Sequence, residues 1–333
     1  MTTRSSPGLR GLLPPTLLAV ACAGLIAAPW LLKPYGLYIL SLWAVMSIAA
    51  IGLNLTLGYA GQVSLAQAAF VGIGAYTTAL LLPQGWPFLL TFVAAGLLCF
   101  AVGWLLGYPA LRVQHHYLAF VTLAFSTLAF LVMRNEQWLT GGIYGLQVAR
   151  PTILGWATRR APDFYFLSLG ILAAVSAGVW WMVRSPWGRA FTALRENPLR
   201  ALSLGVDTRR YTLLAFAIGS GLGGLSGALY APLVQFIEPS AFALGLSLSI
   251  LLMVIVGGAG YFAGPFIGAL VSVLLPEWLR FAEGYYLMAY ALIVMVLLAF
   301  APKGLVGLAD GLWRPRAAPA PTPAAAAIAE TQP

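Results

Sequence analysis

Apolar residues along this chain fall into ten runs, near 13–32, 36–57, 63–82, 87–108, 117–133, 165–183, 211–233, 243–258, 262–279 and 286–301, separated by Pro, Gly and charged positions. A helix needs about 20 mostly apolar residues to cross a bilayer. The pattern therefore predicts an all-α integral membrane protein, a polytopic helical bundle of about ten transmembrane helices. The run at 62–82 is the ambiguous one, because Gly58, Gly61, Gly72 and Gly74 crowd it. It reads either as a full span or as a broken helix, and a break at membrane depth requires protein or a water-filled cavity to satisfy the freed backbone groups. Arg4 and Arg10 precede the apolar stretch Leu12 to Leu32. That stretch exceeds a signal-peptide core of about 7–15 residues, so it reads as an uncleaved first span.

Composition sharpens the picture. Hydrophobic residues are 61% of the chain and charged residues 8%, against about 25% charged in a soluble domain. The expected organisation is a transmembrane domain over 1–310 and a disordered Ala/Pro-rich cytoplasmic tail over 311–333. The net charge of +9 is mostly Arg on one set of loops, which is the positive-inside pattern and no indication of nucleic acid. With both termini cytoplasmic, the inside segments collect Arg112, the six Arg of 184–210, Lys303, Arg314 and Arg316. Cys22 and Cys99 lie in apolar runs, where a thiol is a small packing residue.

The candidate chemistry is largely one of absence. No P-loop occurs, so this chain is expected to bind no cofactor, with any ATP and Mg held by partner subunits. No metal-ligand cluster is present. His115 and His116 are adjacent, so they read as a membrane-interface pair beside Arg112, with a ligand or proton-relay role as the alternative. Every acidic residue falls in a loop, at a span end or in the tail, which argues against proton coupling through a buried carboxylate. The chain is not expected to be an enzyme. What the spans do hold is neutral: Asn54, Gln62, Ser64, Gln67, Thr122, Ser126, Ser220, Ser247 and Ser249. Such side chains normally hydrogen-bond between helices. The dense set Asn54, Gln62, Ser64 and Gln67, with Thr122 and Ser126, is equally a candidate pathway lining. Gly219, Gly223 and Gly227, and again Gly260, Gly264 and Gly268, form G-x-x-x-G steps that let helices approach closely.

Within the inside loop 184–210, Asn197 suits an N-cap, Pro198 the first helical position, and Gly205 the position just past the end. The expected product is a helix of about two turns flanked by Arg195, Glu196 and Arg200, either passing force between subunits or merely lying solvated at the surface.

The string Gly58-Tyr59-Ala60-Gly61-Gln62-Val63-Ser64-Leu65-Ala66-Gln67-Ala68-Ala69-Phe70, followed by Gly72-Ile73-Gly74-Ala75-Tyr76, resembles the signature of branched-chain amino acid ABC importer permeases, in their LivM-like branch. Tyr117 to Leu123, Thr140-Gly141-Gly142 with Gly145, Ser185 to Ala190, Ala193 to Asn197, Gly257 to Gly260, Gly264-Pro265 and Pro302 to Leu305 match in order. The resemblance implies a subunit of an importer of Leu, Ile and Val in the bacterial inner membrane. Its implied partners are a second, LivH-like permease, two ABC ATPase subunits, a periplasmic substrate-binding protein and the lipid bilayer. It also implies that 184–210 holds a coupling helix docking on the ATPase through Gly188, Arg189, Arg195, Glu196, Asn197, Ala201 and Gly205. The chain departs from the family at Leu199 and Arg200, where Glu-Ala is usual, at Ala66-Gln67, where Gly-His is usual, and at Gln114-His115, where Arg-Gly is usual. Urea, short amides and aromatic acids are alternative substrates of similar permeases. An ion-coupled secondary transporter and a passive small-solute channel are the readings from other mechanistic classes.

Overall fold

Gly and small residues let one helix serve as the axis of this molecule. The computed structural model describes residues 15–110, 117–153, 156–158, 160–279, 288, 291–295, 301 and 303–313. The His115–His116 pair, Arg112, most of the run at 286–301 and the tail beyond Trp313 lie outside the described residues. The main helices are α1 (Pro15–Leu31), α2 (Pro34–Leu53), α3 (Gln67–Leu81), α4 (Phe88–Ala110), α5 (Tyr117–Asn135), the one-turn α6 (Gln137–Thr140), α7 (Ala161–Arg184), α8 (Pro186–Glu196), α9 (Pro198–Ser203), α10 (Thr208–Val234), α11 (Leu244–Gly257), α12 (Gly264–Trp278) and α13 (Gly304–Trp313). Each of the first nine apolar runs thus contains a helix, and five helices are by themselves long and apolar enough to cross a membrane.

Helix α10 packs against α2, α3 and α4. Its glycines set the distances. A Cβ at Gly219 would stand 2.6 Å from the carbonyl oxygen of Gly52 on α2, one at Gly224 would stand 2.7 Å from that of Ala95 on α4, and one at Gly227 would stand 1.9 Å from that of Val71 on α3. Apolar side chains gain nothing by leaving lipid for another helix, so association here rests on close packing and interhelical hydrogen bonds. Such bonds are present: Ser226 donates to Val45 O at 2.8 Å, Trp43 Nε1 to Phe266 O at 3.0 Å, and Tyr165 to Leu25 O at 2.7 Å.

The ambiguous run resolves as a break. Helix α2 continues into a π-turn, Asn54–Tyr59, and α3 does not begin until Gln67. The intervening 61–66 is non-helical, with Gln62 and Ser64 buried and Gly61 and Val63 exposed. Helix α3 alone has 15 residues, a rise of only ~22 Å, so the non-helical stretch supplies the remaining reach. The backbone of the break is satisfied from distant helices. Leu65 N donates to Thr122 Oγ1 at 3.0 Å, and Ser247 donates to Leu65 O at 2.7 Å while accepting from Ala68 N at 3.0 Å. Removing that last hydroxyl orphans two buried groups. Ser247→Ala is expected to lower stability by about 2 kcal/mol, read as a fall in the unfolding midpoint in detergent, whereas Ser249→Ala, a half-buried position whose hydroxyl donates only to Gly245 O of its own helix, should leave it nearly unchanged.

The end of the bundle opposite the 184–210 loop is closed by small structures. Thr140 donates to Met133 O at 2.6 Å, folding the Thr140-Gly141-Gly142 turn back over the end of α5. Strands β1 (Leu146–Gln147) and β4 (Phe236–Ile237) then pair antiparallel, Leu146 opposite Ile237. A second ribbon pairs β2 (Thr152–Ile153) with β3 (Trp156–Ala157). Exposed Trp30, Tyr35, Trp86, Trp138 and Trp278 ring this end, and Trp104, Tyr108, Trp181 and Trp187 ring the other. Two such belts mark the membrane–water boundaries of a spanning protein. Arg184 over the Trp180 ring at 3.8 Å and Arg209 over Tyr108 at 5.0 Å add cations at the loop end, where guanidinium–aromatic contacts are favourable.

Candidate functional site

The polar residues of the spans gather around the break. Asn54, Gln62, Ser64, Gln67, Thr122 and Ser126 are all buried, none more than 6% exposed. Gln67 heads α3 with its amide Nε2 donating to Ala49 O at 3.0 Å and Gly219 O at 3.3 Å, which joins α3 to α2 and α10 at one point. Ser64 accepts from Ala66 N at 3.3 Å, and Thr122 accepts from Leu65 N while donating to Ala119 O. These groups are thus committed to neighbouring backbone. Gln62 and Ser126 are likewise buried.

Asn54 stands in the first position of the π-turn and uses both ends of its amide. Its Oδ1 accepts from Gly260 N at 2.9 Å and its Nδ2 donates to Tyr261 O at 3.1 Å. It therefore clamps the α2 end to the loop 258–263 between α11 and α12. That loop needs Gly260 for its backbone, whose φ is +84°, a region L-residues avoid.

The 184–210 loop forms the helix expected of it. Asn197 Oδ1 accepts from Arg200 N at 3.0 Å, Pro198 opens α9, and Gly205 follows its end at φ +82° with Val206 N returning to Ala201 O at 3.0 Å. Before it, Ser185 caps α8 and accepts from Trp187 N at 3.2 Å. Gly188 packs where any Cβ would collide with Val183 O at 1.8 Å, so the corner between α7 and α8 is sharp. Helix α8 is amphipathic: Gly188, Ala190, Phe191 and Leu194 are buried while Arg189, Arg195 and Glu196 are exposed. Phe191 packs with Leu55, Ala60 and Ala215, fixing α8 to the break region and to α10. Ala201 is buried under α9, and Leu199, Leu202 and Leu204 project outward, 78%, 58% and 82% exposed. The docking candidates therefore divide. Arg189, Glu196 and Gly205 lie on the open face with these leucines, whereas the Arg195 guanidinium turns back onto the bundle and donates to Gly58 O at 2.6 Å.

Among the described residues no Asp, Glu, Lys, Arg or His is in the buried class, and no cluster of His, Cys, Asp and Glu could hold a metal ion. A helical bundle bounded by two aromatic belts, with a neutral polar interior around a broken helix and a structured loop at one end, is a polytopic membrane permease. The pattern of the family described as "Branched-chain amino acid transport system / permease component" matches residues 35–301, and the chain belongs to that family. The high-affinity branched-chain amino acid transport system permease protein LivM of Escherichia coli (strain K12) is 30% identical over 306 residues, covering 84% of this chain and 72% of that one. The probable branched-chain amino acid transport permease protein LivM of Methanocaldococcus jannaschii is 26% identical over 241 residues, 66% of this chain and 68% of its own. The autoinducer 2 import system permease protein LsrC of Salmonella paratyphi B is 26% identical over 268 residues, 78% and 73%. No solved structure matches.

Proposed function

We propose that this chain is the membrane-spanning permease subunit of an ATP-binding cassette importer for leucine, isoleucine and valine. It would work in a bacterial inner membrane with ten spans and both termini cytoplasmic. A second, LivH-like permease completes the pathway, a periplasmic binding protein delivers substrate, and two ATPase subunits hold ATP and Mg. The observation that carries the reading is membership of the branched-chain amino acid permease family over residues 35–301. The leucine-rich outer face of α9 supports it, because three exposed leucines on so short a helix have a large area to cover. The ATPase cleft would cover them. The neutral buried interior also fits a subunit that moves a zwitterion without ion coupling, since a coupled carrier places a titrating group at depth.

Transport is by alternating access. Closure of the ATPase pair shifts 184–210, and the spans rock about the pathway beside 61–66, the non-helical stretch that shows Gly61 and Val63 at the protomer surface. The relatives named for autoinducer 2 import keep a second substrate class open. Gln67, at a family departure, lies nearest that question. Labelled leucine uptake by the complete complex in liposomes, challenged with isoleucine, valine, urea, a short amide and an aromatic acid, tests the substrate. Isoleucine and valine competing at concentrations close to that of leucine itself is the expected result. Uptake suppressed only by urea, the amide or the aromatic acid would reassign it.

A further inference from the structure

A helix leaves its last four carbonyls without intrahelical partners. At the end of the α2 π-turn, two of these are taken by the chain's own continuation: Thr56 O accepts from Gln62 N at 2.9 Å and Leu57 O from Gly61 N at 3.2 Å. The next, Gly58 O, is taken by Arg195, from a helix 137 residues away in sequence. A guanidinium there also meets the negative end of the α2 dipole. Its stem lies along Gly61, 3.5 to 3.7 Å from where a Cβ would be, and its Nη1 occupies the space a Cβ on Gly260 would fill, 1.9 Å away. Gly260 is in turn the residue whose N–H donates to Asn54. Three elements therefore meet at one side chain: the end of α8, the α2 π-turn that leads into the break, and the 258–263 loop that joins α11 to α12.

We infer that Arg195 is the positioning residue that transmits motion of the 184–210 loop to the broken segment 60–66 and to the α11–α12 hairpin, and that it acts through its bond to Gly58 O and not by contacting the ATPase. This rests on the importer reading above. The arrangement suits the task because the hydrogen bonds of a π-turn span one residue more than those of an α-helix, and such turns are frequent at functional sites. Drawing on Gly58 O therefore moves Gly61 to Ser64 directly. Gly260 and Asn54 carry the same displacement into the hairpin. A single carbonyl acceptor requires one donor, so a lysine ammonium can replace the guanidinium in part, whereas a methionine keeps the apolar stem over Gly61 and removes the donor.

The test uses the complete complex in liposomes, wild type against Arg195→Met and Arg195→Lys, with three readouts: ATPase subunits co-purified, substrate moved per ATP hydrolysed, and ATP-dependent change in thiol labelling of a Gln62→Cys probe built with Cys22 and Cys99 replaced by Ala. The expected result is undiminished ATPase recovery in all chains, leucine moved per ATP down about tenfold in Arg195→Met, at least partial recovery in Arg195→Lys, and loss of the nucleotide-dependent labelling change only in Arg195→Met. Loss of ATPase subunits from Arg195→Met would make Arg195 a docking residue and overturn the inference, as would failure of that chain to assemble or an unchanged transport-to-ATP ratio. A wild-type complex that moves leucine without ATP would instead overturn the importer reading itself, and the two failures are distinguished by the wild-type arm.

Discussion

Replacing Gly227 by valine is expected to abolish recovery of the folded chain from detergent extracts. Even the first carbon of the new side chain would stand 1.9 Å from Val71 O and 2.8 Å from Ala75 N, both backbone atoms of α3 that cannot rotate away. Helices α3 and α10 would have to separate by more than an ångström, and α10 is held on its other sides by Gly219 against α2 and Gly224 against α4. Overpacking a good core costs about 1–3 kcal/mol, and occasionally more, for flexible neighbours. A collision with the α3 backbone, on a helix already held against α2 and α4, lies at or above the top of that range, against a total stability of about 5–15 kcal/mol. The same change should be mild at Gly178 on α7, where nothing lies within 4 Å of the new carbon. Size-exclusion profiles of the two variants side by side check this. A monodisperse Gly227→Val chain would show that α10 is not the fixed axis of the bundle.

The second large effect is expected at Gln67, and it separates interhelical bonding from a place in the pathway. Gln67→Glu puts an acceptor where Nε2 now donates to two carbonyl oxygens. Ionised, the group would be an unpaired charge facing two carbonyls; protonated, it could satisfy only one of them. A buried charge without a partner costs about 3–5 kcal/mol. Gln67→Met, of similar volume, forgoes only the interhelical bonds, about 0.6 kcal/mol each on average. The expected order of unfolding midpoints is wild type, then methionine slightly below, then glutamate far below, with the methionine chain keeping its substrate preference. A methionine chain as stable as wild type but altered in substrate choice would return Gln67 to the pathway.

The fold was legible where it depends on local pattern. The apolar runs located nine helices because spanning lengths and Gly, Pro and Arg punctuation are properties of contiguous sequence. The cap at Asn197, the helix start at Pro198 and the end at Gly205 are legible for the same reason. The break was visible as an excess of glycine, but not its form. Asn54 to Tyr59 carries nothing that distinguishes a π-turn from continuing helix, and the partners of 61–66 come from Thr122 and Ser247, 57 and 182 residues from Leu65. The polar cluster was read as glue or as pathway with no way to decide. A non-helical segment at membrane depth needs donors and acceptors from its neighbours, and that demand occupies Thr122 and Ser247, while Asn54 and Gln67 join adjacent helices and the 258–263 loop. Arg195 shows the same limit from the other side. Counted with the loop charges, it was grouped with the docking residues, yet its guanidinium caps a helix that ends 136 positions earlier in the chain.

The central claim is that ATP on partner subunits drives this chain to move a branched-chain amino acid inward. The measurement that tests it most directly is labelled leucine accumulation in sealed liposomes holding the complete complex, with ATP supplied on the ATPase side, compared with imposed proton or sodium gradients without ATP. Accumulation above the external concentration with ATP alone, unaffected by dissipating either gradient, is the predicted result. Accumulation that follows an ion gradient, or equilibration without ATP, would contradict it.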